Sequence, residues 1–178
     1  MAQQSKLSKI DFMRIFSTHD ACEAHLFKMK WPDGYICEKC GCQHYYVIST
    51  RGLRLYQCKS CKYQATVTVN TVLEKTRTSL EKWFLAIYCI ANDKRGLSAT
   101  QLMNEIGVAY QTAWTMLHKI RTAMAERDSS YQLCGIVDLD DSYVGAKTEG
   151  AKRGRGTDKA KVIIGVSLNE SGSPEYAK

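Results

Sequence analysis

Two groups of residues have the types and spacings to do chemistry. The first is Cys37-x-x-Cys40 followed, after seventeen residues, by Cys58-x-x-Cys61. Each CxxC forms a tight turn with both thiolates pointing inward, and two such knuckles complete a sulfur tetrahedron around one Zn²⁺. A closed all-thiolate shell leaves no position for water or substrate, so this zinc would do structural work. The two halves echo each other: Tyr35-x-Cys37-x-x-Cys40 is repeated as Tyr56-x-Cys58-x-x-Cys61. Cys42 and His44 lie near enough to compete as ligands, but Cys40-x-Cys42 is poorer knuckle spacing, and both are left out. Redox use of CxxC needs a βαβ context that this sequence lacks. The second group is Asp138, Asp140 and Asp141 in the run GIVDLDDSYVG, Gly135 to Gly145. Carboxylates in an apolar strand are costly unless paired or bound to a cation, which makes the run a candidate metal site. If no bulge intervenes, Asp138 and Asp140 project from one face and Asp141 from the other.

Composition narrows the setting. The chain has 178 residues, 25 basic against 18 acidic, for a net charge of +7. That excess favours an anionic partner such as nucleic acid. Eight cysteines would suit a disulfide-rich secreted protein, but MAQQSKLSKIDFMR has neither the apolar core nor the cleavage site of a signal peptide. The longest apolar run, Trp83 to Ala91, is about half of what a membrane span needs. The expected location is therefore a reducing cytoplasm, with no membrane partner, where paired cysteines point to metal.

The elements that must position these groups read as an α+β chain. Residues 1–32 form a helical segment. Ser8 with Asp11 resembles a capping box, with Ile10, Met13 and Phe16 on helical spacing behind it. Ser17 or Thr18 starts a second helix with Cys22, Leu26 and Met29 on one face, closed by Trp31-Pro32-Asp33-Gly34. His19, Cys22 and His25 are either a further ligand set or, for Cys22, simply core. Residues 33–70 form the zinc ribbon, with strands over Tyr45–Ser49, Leu53–Gln57 and Gln64–Val69 and a turn at Arg51-Gly52. Lys39, Arg51, Arg54, Lys59 and Lys62, interleaved with Tyr45, Tyr46 and Tyr56, either track a phosphate backbone or form a solvated charged face.

Residues 78–127 form a helical segment. Thr78-x-x-Glu81 is a capping box before a helix with Leu80, Trp83, Phe84, Ile87, Tyr88 and Ala91 on one face. Ser98-x-x-Gln101 caps the next helix (Leu102, Met103, Ile106). Gly107 makes a turn into a third, with Ala113, Leu117, Ile120 and Met124 apolar and Trp114 beside them. Two helices joined this way make a helix-turn-helix, whose second helix offers Tyr110, Gln111, Thr112, Thr115 and Lys119 to DNA. The alternative is a helical hairpin that only packs. From Leu133 to Val144 the period changes to two. Residues 147–161 follow with six basic residues and three glycines, Arg153 and Arg155 among the candidate DNA contacts. VIIGVSL makes a second strand, Asn169–Gly172 a turn, and the last residues the start of a third strand.

Several signposts in this order carry a family resemblance: KWPDG, the two CxxC pairs, SLEKWFLAIYCI, GLSATQLMNEIGVAYQTAWTMLHKIR, and VDLDDSYVGAK followed by RGRG. From about Phe16 onward the chain resembles the zinc-ribbon insertion-sequence transposases of the ISXO-like DDE class. The resemblance implies an RNase H-like catalytic domain beginning in residues 133–178, and metal-dependent cleavage and joining of insertion-sequence DNA ends. In that family the first catalytic aspartate precedes an acid, a small hydroxyl residue, Tyr, an apolar residue and Gly, which places it at Asp140. Two Mg²⁺ ions held by three acids serve such chemistry. The second and third acids of the family lie beyond the second strand, and this sequence stops at Lys178; Glu170 and Glu175 come too early to replace them. The expectation is a truncated chain that binds zinc and DNA without catalysing, and that self-associates through unpaired strand edges. The alternative is a stand-alone zinc-ribbon and helix-turn-helix DNA-binding regulator.

Overall fold

The computed structural model describes residues 7–51, 53–93, 95–145 and 159–177. The chain divides into two units, Met1–Thr122 and Ala123–Lys178. The first holds α1 (Lys9–Ile15), α2 (His19–Lys30), β1 (Tyr45–Arg51), β2 (Leu53–Cys58), β3 (Gln64–Ala65), α3 (Leu80–Asn92), α4 (Ala99–Ile106) and most of α5 (Tyr110–Ser129).

Hydroxyl caps start three of these helices. Ser8 Oγ accepts the Asp11 amide at 3.1 Å, Thr18 Oγ1 that of Ala21 at 3.3 Å, and Ser98 Oγ that of Gln101 at 3.2 Å. Each satisfies an amide that the first helical turn leaves without a partner. The expected Thr78 cap is not one. The helix begins a residue later, at Ser79, without a side-chain cap bond. Thr76 explains the shift: its Oγ1 accepts the Thr78 amide at 3.1 Å and the Trp83 indole N–H at 2.7 Å, turning the chain before the helix. Gly107 ends α4 at φ +62, the left-handed conformation that glycine adopts without strain.

The apolar faces differ in part from the expected ones. In α1 it is Phe12 that is buried, while Ile10 and Met13 are exposed. Phe12 stacks on Tyr88 at 4.4 Å and Phe16 meets Phe84 at 4.9 Å. Two aromatic rings one turn apart bury more area than Ile10 and Met13 would, and take the inward side. Along α2, Cys22 is buried and Leu26 packs inward, but Met29 is exposed because the stripe passes to Phe27 and Trp31. In α3 the inward residues are Leu80, Trp83, Phe84 and Ala86, with Ile87 turned out. In α5 Met116 joins Ala113, Leu117 and Ile120, whereas Trp114 and Met124 are exposed.

Two cores result. One gathers Phe12, Cys22, Leu80, Trp83, Leu102 and Met116 from the helices. The other gathers Trp31, Tyr35, Tyr56 and Val67 around the buried cysteines Cys37 and Cys58, and Leu26 of α2 packs against both. A polar clamp also ties α2 to β2. Glu23, only 1 % exposed, accepts the Arg54 amide through Oε1 at 3.0 Å, and its Oε2 lies 3.4 Å from the Arg54 guanidinium. Arg54 also reaches Asp20 at 2.7 Å.

In the ribbon sheet, antiparallel β1 pairs with β2 from Tyr45–Cys58 to Arg51–Leu53, and β2 with the short β3. The strand expected over Gln64–Val69 ends at Ala65, and the Gly52 turn lies outside the described residues.

The second unit contains an antiparallel meander of β4 (Val137–Val144), β5 (Ala160–Leu168) and β6 (Pro174–Ala177). The first strand starts at Val137, not Leu133. Gly135 at φ +76 breaks the extension, and Leu133 folds over Gly165, where an added Cβ would meet its Cδ1 at 2.9 Å. The β4–β5 ladder is unbroken from Val137–Ser167 to Val144–Ala160, so Asp138 and Asp140 share a face and Asp141 lies on the other. Large apolar side chains stand exposed on both faces, Leu139 and Ile163 on one and Val162 and Ile164 on the other. No helix among the described residues is long and apolar enough to cross a membrane.

Candidate metal centre

Both knuckles fold by the same local bonds. The Gly41 amide donates to Cys37 O at 2.8 Å and the Cys37 amide to Cys42 O at 3.0 Å. In the second knuckle Lys62 donates to Cys58 O at 3.2 Å, and Cys58 to Tyr63 O at 2.8 Å. The residue after each second cysteine is left-handed: Gly41 at φ +71, Lys62 at φ +61. These turns bring the sulfurs of Cys37, Cys40, Cys58 and Cys61 within 4.8 Å of one another. Across the knuckles, Cys37 Sγ lies 3.6 Å from Cys61 Sγ, and Cys40 Sγ 3.5 Å from Cys58 Sγ. A tetrahedral zinc thiolate site with bonds of about 2.3 Å has sulfur–sulfur edges of roughly 3.8 Å, so the four side chains fit the ion with shifts of no more than about 1 Å.

Backbone amides are already aimed at the sulfurs as if they were thiolates. At Cys37 burial works against ionisation, but the amides of Lys39 and Cys40 outweigh it and hold the thiol below its ordinary value. At Cys58 the Cys61 amide leads, against burial and with help from Ser60, and brings the thiol down to about 6. At Cys40 the Cys42 amide pulls down, yet the neighbouring sulfurs of Cys61, Cys58 and Cys37, together with burial, carry it up to about 12. Four sulfurs this close cannot all be anionic without a cation between them. A divalent ion with a preference for sulfur resolves the conflict.

Residues 17–64 match the family described as the transposase zinc-ribbon domain, IS1595 type. Over that stretch the ribbon is similar to those of transposases. The chain is also 32% identical, over 132 residues, to an uncharacterized protein in transposable element ISH50 of Halobacterium salinarum. That stretch covers 72% of this chain and 42% of the relative, so the chain spans about two fifths of the length of the protein it matches. No solved structure matches.

The rest of the ribbon supports the cysteine group without adding to it. Cys42 Sγ accepts the His44 amide at 3.4 Å and lies outside the four-sulfur group. Cys42→Ser should therefore leave one zinc per chain and cost about 1 kcal/mol or less, because the half-buried serine hydroxyl still accepts the His44 amide. Zinc stoichiometry together with a urea titration checks both. Cys22 is core: it is fully buried, burial first and then Glu81 push its thiol up to about 11, and it forms no group with His19 and His25.

Several residues read as phosphate contacts are used elsewhere. Arg54 is taken by Glu23 and Asp20, while Tyr45 and Tyr56 pack on Phe27 and Tyr35. In α5, Tyr110, Gln111 and Thr115 are exposed and Thr112 is half-buried. Lys119 donates to Glu74 O at 3.2 Å and Arg121 to Leu97 O at 3.0 Å, so both brace the fold. Gln111, Thr112, Thr115 and Lys119 line a groove of about 230 Å³ with Lys75 and Thr78 of the segment before α3. Lys75 escaped the sequence reading, since a lone lysine in an irregular stretch has no periodicity to mark it. Arg153 and Arg155 lie outside the described residues.

The acids of β4 do not fit a magnesium centre by themselves. Asp140 is exposed, and its Oδ1 accepts the Asp141 amide at 2.8 Å. Asp141 points to the opposite face, where it meets Lys161 at 3.3 Å and accepts from the Tyr143 hydroxyl at 3.3 Å. Among the described residues the four cysteines are the one group that brings three or more ligand atoms together. No catalytic step through Mg²⁺ follows from this arrangement.

Proposed function

We propose that this chain binds DNA of an insertion element, reading sequence with the start of α5, and that its transposase-type ribbon is held together by one structural zinc. The observation that carries the reading is the α4–Gly107–α5 unit. Leu102, Ile106, Ala113, Met116 and Leu117 turn inward, while Tyr110, Gln111 and Thr115 stand exposed at the first turns of the second helix. A helix presented in this way enters a major groove with its N-terminal side chains toward base edges. Glutamine suits the paired donor and acceptor of adenine, and the net charge of +7 favours the phosphates.

Asp140 belongs to this reading only as the acid that the family motif marks. DNA binding is the activity proposed for the described residues. A regulator built from the same parts would bind in the same manner.

Selection from a randomised duplex pool tests the proposal. The wild-type chain should enrich one sequence class. The double variant Gln111→Ala, Thr115→Ala should still bind duplex but discriminate less, by about 1–3 kcal/mol for each base edge deprived of its side-chain partner. A variant that enriches the same sequence with the same preference would remove α5 from the reading.

A further inference from the structure

The ribbon carries an exposed cationic patch that neither its fold nor its zinc requires. Along β1 the side chains alternate, so Tyr45 enters the aromatic cluster with Tyr35 and Tyr56, and Tyr46 faces solvent at 53 % exposure. Two lysines of the second knuckle converge on that ring. Lys59 Nζ lies 4.8 Å from the Tyr46 centroid and Lys62 Nζ 5.8 Å from it. Among the described residues no carboxylate forms an ion pair with either lysine.

Backbone geometry sharpens the point. Lys62 occupies the left-handed position that Gly41 fills in the sister knuckle. A side chain there costs on the order of 1 kcal/mol relative to glycine, and the one that stands there is exposed. The cost brings a second ammonium to a ring that already holds one. Two like charges gathered on one exposed aromatic face, without a counter-ion, complement a ligand with closely spaced negative charges. A phosphodiester backbone has that spacing.

We propose that Tyr46, Lys59 and Lys62 form a sequence-independent contact to the phosphodiester backbone of duplex DNA. Tyr46 holds the two ammonium groups together, so that one strand meets both. The inference rests on the DNA-binding reading above but on different residues, and the two can fail separately.

The test uses the full zinc-loaded chain and a 24-base-pair duplex of arbitrary sequence, titrated over a series of NaCl concentrations. Each phosphate contact contributes about 0.9 to the slope of log K against log salt, so Lys59→Gln with Lys62→Gln should flatten the slope by about 1.8 and weaken binding at low salt. Arg14→Gln with Lys28→Gln removes the same charge from exposed positions on the helices and should flatten it far less. Lys62→Gly installs the residue used by the first knuckle, which secures its fold, and alone should flatten the slope by about 0.9. Equal slopes for the two charge-matched double variants, or an unchanged slope in Lys62→Gly, would overturn the patch. If those slopes are unchanged while the α5 double variant loses its sequence preference, the patch falls and the DNA-binding reading stands. A wild-type chain that binds no duplex at all overturns both.

Discussion

Cys58→Ser should leave the chain without bound zinc and with residues 33–70 unfolded. Cys58 is buried and completes the sulfur group with Cys37, Cys40 and Cys61. The ribbon's own sheet is small: β3 is two residues long, and β1 and β2 form a single hairpin. Such a hairpin is marginal alone, whereas a structural zinc contributes about 10–16 kcal/mol in small modules. Serine keeps the shape but offers a neutral hydroxyl in place of a thiolate, so the loss is chemical and not steric. Trp31 reports it, being buried against Tyr35 and Tyr56 in the ribbon core. Its fluorescence should move toward that of exposed indole while zinc content falls from one per chain to none. Cys37→Ser should behave alike. Zinc content that stays at one per chain in both variants would refute the ligand assignment.

Glu23→Ala should destabilise the fold by about 3 kcal/mol, as much as truncating a core side chain. The carboxylate is almost fully buried; its Oε1 accepts the Arg54 amide and its Oε2 lies 3.4 Å from the guanidinium, so alanine leaves the backbone donor without its acceptor and the guanidinium with one carboxylate fewer. The effect sits at the lower end of the range for broken buried pairs because Arg54 is partly exposed and keeps Asp20. Glu23→Gln retains an acceptor for the amide and should cost less. Adding Arg54→Ala to Glu23→Ala should cost less than the sum of the two single changes. Urea unfolding at fixed zinc measures all of these, and a Glu23→Ala midpoint equal to wild type would show the clamp to be idle.

What the sequence disclosed depends on how far apart the interacting residues lie. The four-cysteine cluster was legible because a knuckle is a local event: spacing of three residues and the following turn nearly determine where two sulfurs go. The caps at Ser8, Thr18 and Ser98, and the left-handed Gly107, are local in the same sense. The inward face of α1 was not, since that helix carries apolar residues on several sides. Rings contributed by α3, Tyr88 and Phe84, decide which side wins. Along α3 itself the expected Leu80, Trp83 and Phe84 do turn inward, joined by Ala86 in place of Ile87. Glu23 with Arg54 was invisible for the same reason: 31 residues separate the partners and nothing periodic joins them. Arg54 consequently read as a candidate phosphate contact. In β4 the alternation placed the three acids on their faces, but the strand began later than expected because Gly135 acts through its backbone.

α2 belongs to both cores. Leu26 packs against each, Cys22 lies in the helical one, and Phe27 and Trp31 in the ribbon. A helix so shared does not melt on one side alone. Free zinc at a hundred times its dissociation constant stabilises the state that binds it by about 2.7 kcal/mol, and through α2 that increment reaches the helical core as well. Zinc concentration would then govern the heat tolerance of the α4–α5 unit, which contributes no ligand. Starving the ribbon of zinc would loosen the helix proposed to read DNA before any base contact had changed.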